Sequence, residues 1–387
     1  MRNRALLSIL AGFFVMGFGD IIGTVMIQVK SECAAHADSI SWLMPILAFV
    51  WFFVLSIPTG VLCGRLGRKN TVLLALLVTF VAMCVPLAAS AERWWLYVVA
   101  FALVGIGNTV IQIALPALLT NVVEKSQMTS RISLGQFVKA LCAALTPVFV
   151  YMTATALGNW KLLFPLYGAL TVAETIWLLV TKIPDERQLL TTNNQQLTTF
   201  ASCLGMLRHP YVCAMTVGIL FSVGADVGFT VAIPEYLKNV YKVDLNLAGM
   251  GPTVYFVAKT AAAFLGAIVF AKISAAKCFP WCMGIGILAT AAIHLVGSPV
   301  AFLVLVFVIA LATANSFGMC MGLAIDKMPE KANEITSLMV MAIVGGGLVS
   351  ALIGAAQKAF GATGILSILM VCIAYLLALG LFARKGS

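Results

Sequence analysis

Five ionisable side chains sit inside long apolar stretches of this 387-residue chain: Asp20, Lys139, Glu174, Asp226 and Lys259. An ionised side chain at the centre of a lipid-embedded helix costs about 2.5–3.5 kcal/mol even on the lenient scale of insertion experiments. Each is therefore a candidate for a group that faces a watery cavity and works there. Asp20 and Asp226 are candidate proton-coupling carboxyls, binding a proton on one side and releasing it on the other. Lys139 and Lys259 could compensate such a carboxylate or anchor an anionic ligand, because an ammonium is a compact charged donor. A permanent aspartate–lysine ion pair is the structural alternative for the same residues. Glu174 is read as a helix-contact residue.

The spacing around these groups is helical. Asp20, Thr24 and Gln28 fall at i, i+4 and i+8, which puts them on one face of a helix. The i, i+4 spacing recurs in Asp226/Thr230, Asn108/Gln112 and Tyr255/Lys259. Four polar stripes on otherwise apolar helices would line a cavity if they converged. Thr24, Gln28, Asn108, Gln112, Lys139, Tyr255, Lys259 and Asn315 are the substrate-binding candidates, with bonding between helices as the competing use of their polar groups. Trp51, Phe52 and Phe53 could stack on a ring but are ordinary packing for a membrane helix. Gly345-Gly346-Gly347 suits close helix approach and lacks the strand and Lys-Ser/Thr of a phosphate loop.

The elements that must position these residues follow from composition. The chain is 62% hydrophobic and 10% charged, with mean hydropathy +1.05, which no water-soluble fold of this length shows. A membrane-spanning helix needs about 20 apolar residues, and twelve such runs follow one another: 6–29, 40–62, 71–89, 94–119, 132–157, 162–181, 211–236, 247–271, 279–296, 300–324, 335–358 and 363–382. A barrel would alternate apolar and polar residues in short segments, whereas these runs are apolar all round. The expected fold is an all-α membrane protein. The first run follows Arg2 and Arg4 but is long, carries Asp20 and has no small-residue cleavage site, so it reads as a retained helix.

The net charge of +10 is a topology signal. With the N-terminus inside, 16 of the 24 Lys and Arg fall on the cytoplasmic side, 6 outside and 2, Lys139 and Lys259, within the membrane, as the positive-inside rule requires. Nucleic acid is thereby excluded as a partner. The ten cysteines are scattered and only Cys33 falls in an outer loop, so they offer no disulfide framework. Cys278 and Cys282 have no acidic or histidine companion for a metal. No cofactor is expected.

The chain also repeats itself. Gly12 to Asp20 matches Gly218 to Asp226 at an offset of 206 residues, and Thr24-Val25-Met26-Ile27 matches Thr230-Val231-Ala232-Ile233. Near that offset Asp38 matches Asp244, Gly60 matches Gly266, Asn108-Thr109 matches Asn315-Ser316, Glu124-Lys125 matches Glu330-Lys331, and Thr129-Ser130 matches Thr336-Ser337. Six helices per copy, an even number, make the copies parallel. The expected domains are a bundle over 1–181, a cytoplasmic linker over 182–209 and a second bundle over 210–387.

These features resemble the major facilitator superfamily, with its twelve helices, parallel halves, long central loop and basic signature between helices two and three. That signature reads Gly60-Val61-Leu62-Cys63-Gly64-Arg65-Leu66-Gly67-Arg68-Lys69, with Gly64 where an aspartate is usual. The resemblance implies a gating role for Arg65, Gly67, Arg68 and Lys69. Within the superfamily the chain is similar to the fucose, galactose, glucose and hexose proton symporters, on Gly17-Phe18-Gly19-Asp20, on Gly105 to Pro116 and on Gly224-Ala225-Asp226-Val227-Gly228. The helix-four glutamate of the fucose carriers is absent, with Asn108, Thr109 and Gln112 in its region.

No nucleotide motif or catalytic cluster is present, which makes a secondary carrier the reading and an enzyme or sensor the remote rival. The resemblance implies a monosaccharide or related polar solute as substrate, a proton as coupling ion, and a monomer in the cytoplasmic (inner) membrane with both termini cytoplasmic. The open alternatives are a drug or metabolite exporter and a carrier of organic anions such as sugar acids.

Overall fold

The computed structural model describes residues 2–124, 127–155, 157–183, 199–243 and 245–385; within these, some side chains, including those of Asp20 and Thr24, lie outside the described set. The polar run 191–196 of the expected linker also lies outside the described residues. Sixteen α-helices follow in order among the described residues, and no strand. They are α1 (Arg2–Met16), α2 (Ile22–Glu32), α3 (Ala37–Val54), α4 (Ser56–Leu66), α5 (Arg68–Cys84), α6 (Trp95–Leu119), α7 (Met128–Thr155) and α8 (Leu163–Val180). Then come α9 (Phe200–Gly205), α10 (Pro210–Asn239), α11 (Leu245–Val269), α12 (Ala275–Ala292), α13 (Pro299–Thr313), α14 (Ser316–Lys327), α15 (Ala332–Met341) and α16 (Gly345–Lys385).

Among the described residues nine helical segments are long and apolar enough to cross a membrane. The other three expected runs, 6–29, 40–62 and 132–157, are helical as well, in α1 with α2, in α3 with α4, and in α7. Large apolar side chains are displayed outward along these helices, with Val180 74% and Leu288 72% exposed. A surface of that kind is suited to hydrocarbon and not to water.

Several runs that read as single helices are broken. Run 6–29 passes through a 3-10 turn at Gly17–Ile21, where two glycines weaken the helix. Run 40–62 breaks at Leu55, because Pro58 offers no N–H and its ring opposes the carbonyl four residues back, that of Val54. Run 300–324 breaks at Ala314 and Asn315 between α13 and α14. In the other direction, runs 335–358 and 363–382 meet in α16, which kinks at Gly361, φ 64°. A positive φ there is open to glycine at no steric cost.

The chain forms two compact units. Unit 1 comprises Met1–Glu124, Val138–Met206 and Pro329–Met341. Within it α1 and α5 both pack on α6 and α8, α3 packs on α6, and α15 lies against α4 and α6. Unit 2 comprises Lys125–Phe137, Leu207–Met328 and Ala342–Ser387. Within it α10 packs on α16, α11 and α14, α12 packs on α16 and α13, and α11 packs on α13. The start of α7 therefore belongs to unit 2 and α15 to unit 1.

Candidate functional site

In unit 2 the polar stripes of α10 and α11 meet. Tyr255 and Lys259 are one turn apart on α11 and both reach Asp226 of α10: the Tyr255 hydroxyl donates to Asp226 Oδ1 at 2.8 Å, and the Lys259 ammonium pairs with Oδ2. Tyr255 is fully buried and its ring stacks on Phe229, while Asp226 and Lys259 are each about one third exposed (31% and 32%). Both carboxylate oxygens are thus engaged, and the charge of Asp226 is compensated within its own unit. The ion pair is the geometry that the counter-ion reading of Lys259 expects. Thr230, a turn on from Asp226, bonds back to the Val227 carbonyl, and Asn315 gives its amide N–H to the Ala262 carbonyl at 2.7 Å. Those two side chains spend hydrogen bonds on the helices themselves.

Unit 1 is arranged differently. Asp20 lies in the 3-10 turn between α1 and α2, so the backbone around it is not a continuous helix. Its side chain and that of Thr24 lie outside the described set. Gln28 on α2 is half-buried. Asn108 and Gln112 are buried, one turn apart on α6, and the Asn108 amide lies so close to Gly19 that any side chain at position 19 would strike it. Asn108 Oδ1 is buried with no hydrogen-bond partner among the described residues. Pro116, inside α6, has no N–H to give the Gln112 carbonyl four residues back. Lys139 is half-buried on α7, and its backbone carbonyl lies against Gly17. Glu174 of α8 is buried, with neither carboxyl oxygen hydrogen-bonded among the described residues.

The basic signature builds a second site in unit 1. Gly67, at φ 86°, turns the chain sharply between α4 and α5. That turn sends Arg68 inward, where it is 4% exposed. Its guanidinium donates to Asn333 Oδ1 at 2.8 Å, Thr120 Oγ1 at 2.6 Å and Asn121 Oδ1 at 2.7 Å, binding the α4–α5 turn to the end of α6 and the start of α15. Lys69 donates to the carbonyls of Leu179 and Thr181 at 3.1 and 2.8 Å, a cation at the C-terminus of α8 where the helix dipole favours one. Arg65 is exposed.

Sequence reading missed the acceptors of Arg68 and the neighbours of α15. Glu334 is buried, 3.7 Å from the Lys331 ammonium, and accepts from Ser202 at 3.4 Å. Beside it, burial and then the Glu334 charge push the Cys203 thiol of α9 up to about 12, so this cysteine is an apolar contact and not a reactive thiol. At the far end of α2, Lys161 pairs with Glu32 at 2.7 Å and donates to the Ala89 carbonyl, while the Tyr97 hydroxyl donates to Glu32 at 3.0 Å. The repeated Glu124-Lys125 and Glu330-Lys331 pairs were the one sequence signal pointing toward the start of α15.

The profile described as Major Facilitator Superfamily matches residues 8–354. A glucose/galactose transporter of Brucella abortus biovar 1 (strain 9-941) is 24% identical over 404 residues, covering 99% of this chain and 94% of that protein. Among solved structures, the fucose:proton symporter of E. coli superposes with TM-score 0.84 at 16% identity, covering 98% of both chains. The proton:xylose symporter bound to 6-bromo-6-deoxy-D-glucose superposes with TM-score 0.76 at 14% identity, covering 99% of this chain and 95% of that one. A bacterial homologue of the iron transporter ferroportin reaches 0.73 at 14% identity, so the superposition speaks for the fold and not for a substrate. With a family profile spanning most of its length and apolar helices suited to lipid, this integral membrane protein is a transporter and not an enzyme by its family, and the chain belongs to the major facilitator superfamily.

Proposed function

We propose that the protein is a proton-coupled symporter of a neutral monosaccharide or closely related polyol, with Asp20 as the proton-coupling carboxyl. The observation that carries this reading is the contrast between the two backbones: Asp226, paired with Lys259 and Tyr255, lies in the continuous α10, whereas Asp20 lies in a 3-10 break directly after Gly19, which packs against the Asn108 amide. Broken membrane helices offer backbone groups to substrates and coupling ions. With its counter-ion spent on Asp226, Lys259 is poorly placed to anchor an acid, which favours a neutral solute over a sugar acid. The relative described as a glucose/galactose transporter supports the same substrate class.

Substrate selection then falls to Gln28, Asn108 and Gln112, whose amides can pair with hydroxyl groups, together with Thr24, Lys139, Tyr255 and Asn315. Asp226 supports the site as an ion-pair partner. Arg65, Gly67, Arg68 and Lys69 act as the gate at the cytoplasmic end. The halves 1–181 and 210–387, joined through 182–209, rock about the site, in a monomer of the cytoplasmic membrane with both termini inside.

The test is uptake into liposomes containing the purified protein, using labelled monosaccharides and sugar acids with and without an inward proton gradient. Gradient-dependent uptake of a neutral sugar is expected. Uptake of acids alone would return Lys139 and Lys259 to the role of substrate anchors, and uptake of neither would favour the exporter reading.

A further inference from the structure

Glu174 is the ionisable side chain of the apolar runs that the symport reading leaves without a task. It is 4% exposed, and neither carboxyl oxygen has a hydrogen-bond partner among the described residues. Its helix α8 packs on α1 and α5, and Gly12 of α1 faces it. A methyl group at Gly12 would lie 3.7 Å from Glu174 Oε1 and 2.9 Å from Leu115 Cδ2 of α6. The repeat supplies an internal control for this contact. Gly12 corresponds to Gly218 in unit 2, where a methyl group would meet Cys320 of α14 and Leu379 of α16. Leu379, buried in its turn, thus does against Gly218 the packing that Glu174 does against Gly12. That packing needs no carboxyl, and a buried carboxyl without a bond is destabilising. What a carboxyl adds to a leucine is a proton that can be bound and given up. We propose that Glu174 is a second proton-binding carboxyl of unit 1, sealed among α1, α6 and α8, whose proton is taken up and released in the transport cycle.

Among the described residues, the elements around Glu174 bring it no counter-ion. On α1, Arg4 is exposed two turns below Gly12, and Ser8, between them, is buried with its hydroxyl unbonded among the described residues. On α5, Arg68 and Lys69 stand in the first turn and are spent on Asn333, Thr120 and Asn121 and on the carbonyls that end α8. The titratable group of α6 is Tyr97, at the opposite end, which donates to Glu32. On α8 itself Tyr167 is bonded to Thr146, and Lys161, just before the helix, pairs with Glu32. Lys139 of α7 has an interaction of its own. Burial, and no neighbouring charge, is what acts on the Glu174 carboxyl. An ionised carboxylate without a partner is expensive in a lipid-embedded helix, whereas the protonated acid is neutral. The surroundings therefore fit the acid and not its anion. From Gly12, α1 runs on into the 3-10 turn that carries Asp20, so a shift of α1 at that turn opens the seal over Glu174. The release of the proton rests on the symport reading; its being bound does not.

Two measurements on the full-length protein in liposomes test this. The infrared difference spectrum between wild type and Glu174→Gln at neutral pH should contain the carbonyl stretch of a protonated carboxylic acid, and carboxylate bands in its place would overturn the proposal. Accumulation of labelled glucose, galactose and fucose under an inward proton gradient should fall in Glu174→Gln toward the level reached without a gradient, while exchange between equal pools continues. Glu174→Leu, which copies Leu379, should lose accumulation in the same way with a Tm no lower than that of the wild type. Accumulation as in the wild type in both variants would overturn the proposal by leaving Glu174 a packing residue. A Tm of Glu174→Leu well below the wild type's would overturn it too, by giving the carboxyl a structural task. The two readings fail separately: wild-type uptake that ignores the gradient sinks the symport reading and the release step with it, whereas a missing acid band with accumulation intact sinks the Glu174 site alone.

Discussion

The same motif folds differently in the two units. Around Asp20 the chain reads Gly17-Phe18-Gly19-Asp20 and the helix gives way to a 3-10 turn; around Asp226, at the same place in the repeat, it reads Val223-Gly224-Ala225-Asp226 and α10 runs unbroken from Pro210 to Asn239. Two glycines in one copy stand opposite a valine and an alanine in the other. Each glycine costs a helix about 1 kcal/mol relative to alanine, so the sequence difference has the sign of the structural one. The polar partners diverge in parallel. Asn315 spends its amide on the Ala262 carbonyl, whereas Asn108 Oδ1 has no bond among the described residues. The repeat therefore supplies two similar stripes, of which one holds a closed cluster around Asp226 and the other has an irregular backbone and, among the described residues, one acceptor without a bond.

The strongest test of this contrast compares Asp20→Asn with Asp226→Asn in liposomes. Asp20→Asn should abolish gradient-driven accumulation while exchange between equal pools persists at least in part. Asp226→Asn should keep accumulation, because its carboxylate has a structural partner. Equal loss in the two variants would erase the functional difference between the units.

A smaller effect is expected at the Arg68 site, whose position in the repeat, 206 residues on, is held by Ser274 in unit 2. Arg68→Lys keeps the charge but loses the fork that reaches Asn333, Thr120 and Asn121 together. Hydrogen bonds to charged groups contribute about 1.5–3 kcal/mol each, so a loss of about 3 kcal/mol is expected, read as a lower Tm, with Ser274→Ala almost silent as the paired control. A Tm within experimental error of the wild type would show that the buried guanidinium holds nothing together. Gly19→Ala comes next: its methyl group would meet the Asn108 amide, and overpacking of this kind costs about 1–3 kcal/mol. Ala225→Gly, the reverse exchange in unit 2, should cost no more than about 1 kcal/mol. Equal Tm losses in these two would remove the packing explanation of the contrast.

What the sequence disclosed and what it concealed divide along physical lines. Apolar runs, the repeat and the stripes are local or periodic, so Tyr255 and Lys259 on one face of α11 could be read directly. That Lys259 pairs with Asp226 was one of two readings, because the register between α10 and α11 depends on helix packing and not on spacing. The acceptors of Arg68 were hidden for a similar reason: Asn333 lies 265 residues away in the chain, and Thr120 and Asn121 look like ordinary residues at a helix end. The break at Asp20 had a signal in Gly17 and Gly19, but glycine is common in membrane helices, and hydropathy registers the run as continuous. The break at Leu55 was marked by Pro58 in the same way, and passed over for the same reason.

The ion pair in unit 2 offers the finest test, because it asks whether the cluster there is closed on itself. Lys259→Met leaves Asp226 with the Tyr255 hydroxyl alone, and Asp226→Asn leaves Lys259 without its acceptor. Removing one partner of a buried pair costs more than removing both, since the remaining charge is uncompensated. Here both side chains are about one third exposed, and solvent or a watery cavity screens much of that penalty. The double variant Asp226→Asn/Lys259→Met should therefore be more stable than the sum of the single losses predicts, with a coupling of about 1 kcal/mol in a double-mutant cycle. Tyr255→Phe should act on the same cycle and lower the cost of Asp226→Asn, since no hydroxyl is then left to lose its carboxylate acceptor. Strictly additive losses would mean that the three side chains touch without depending on one another, and Lys259 would regain its standing as a group available to an anionic substrate.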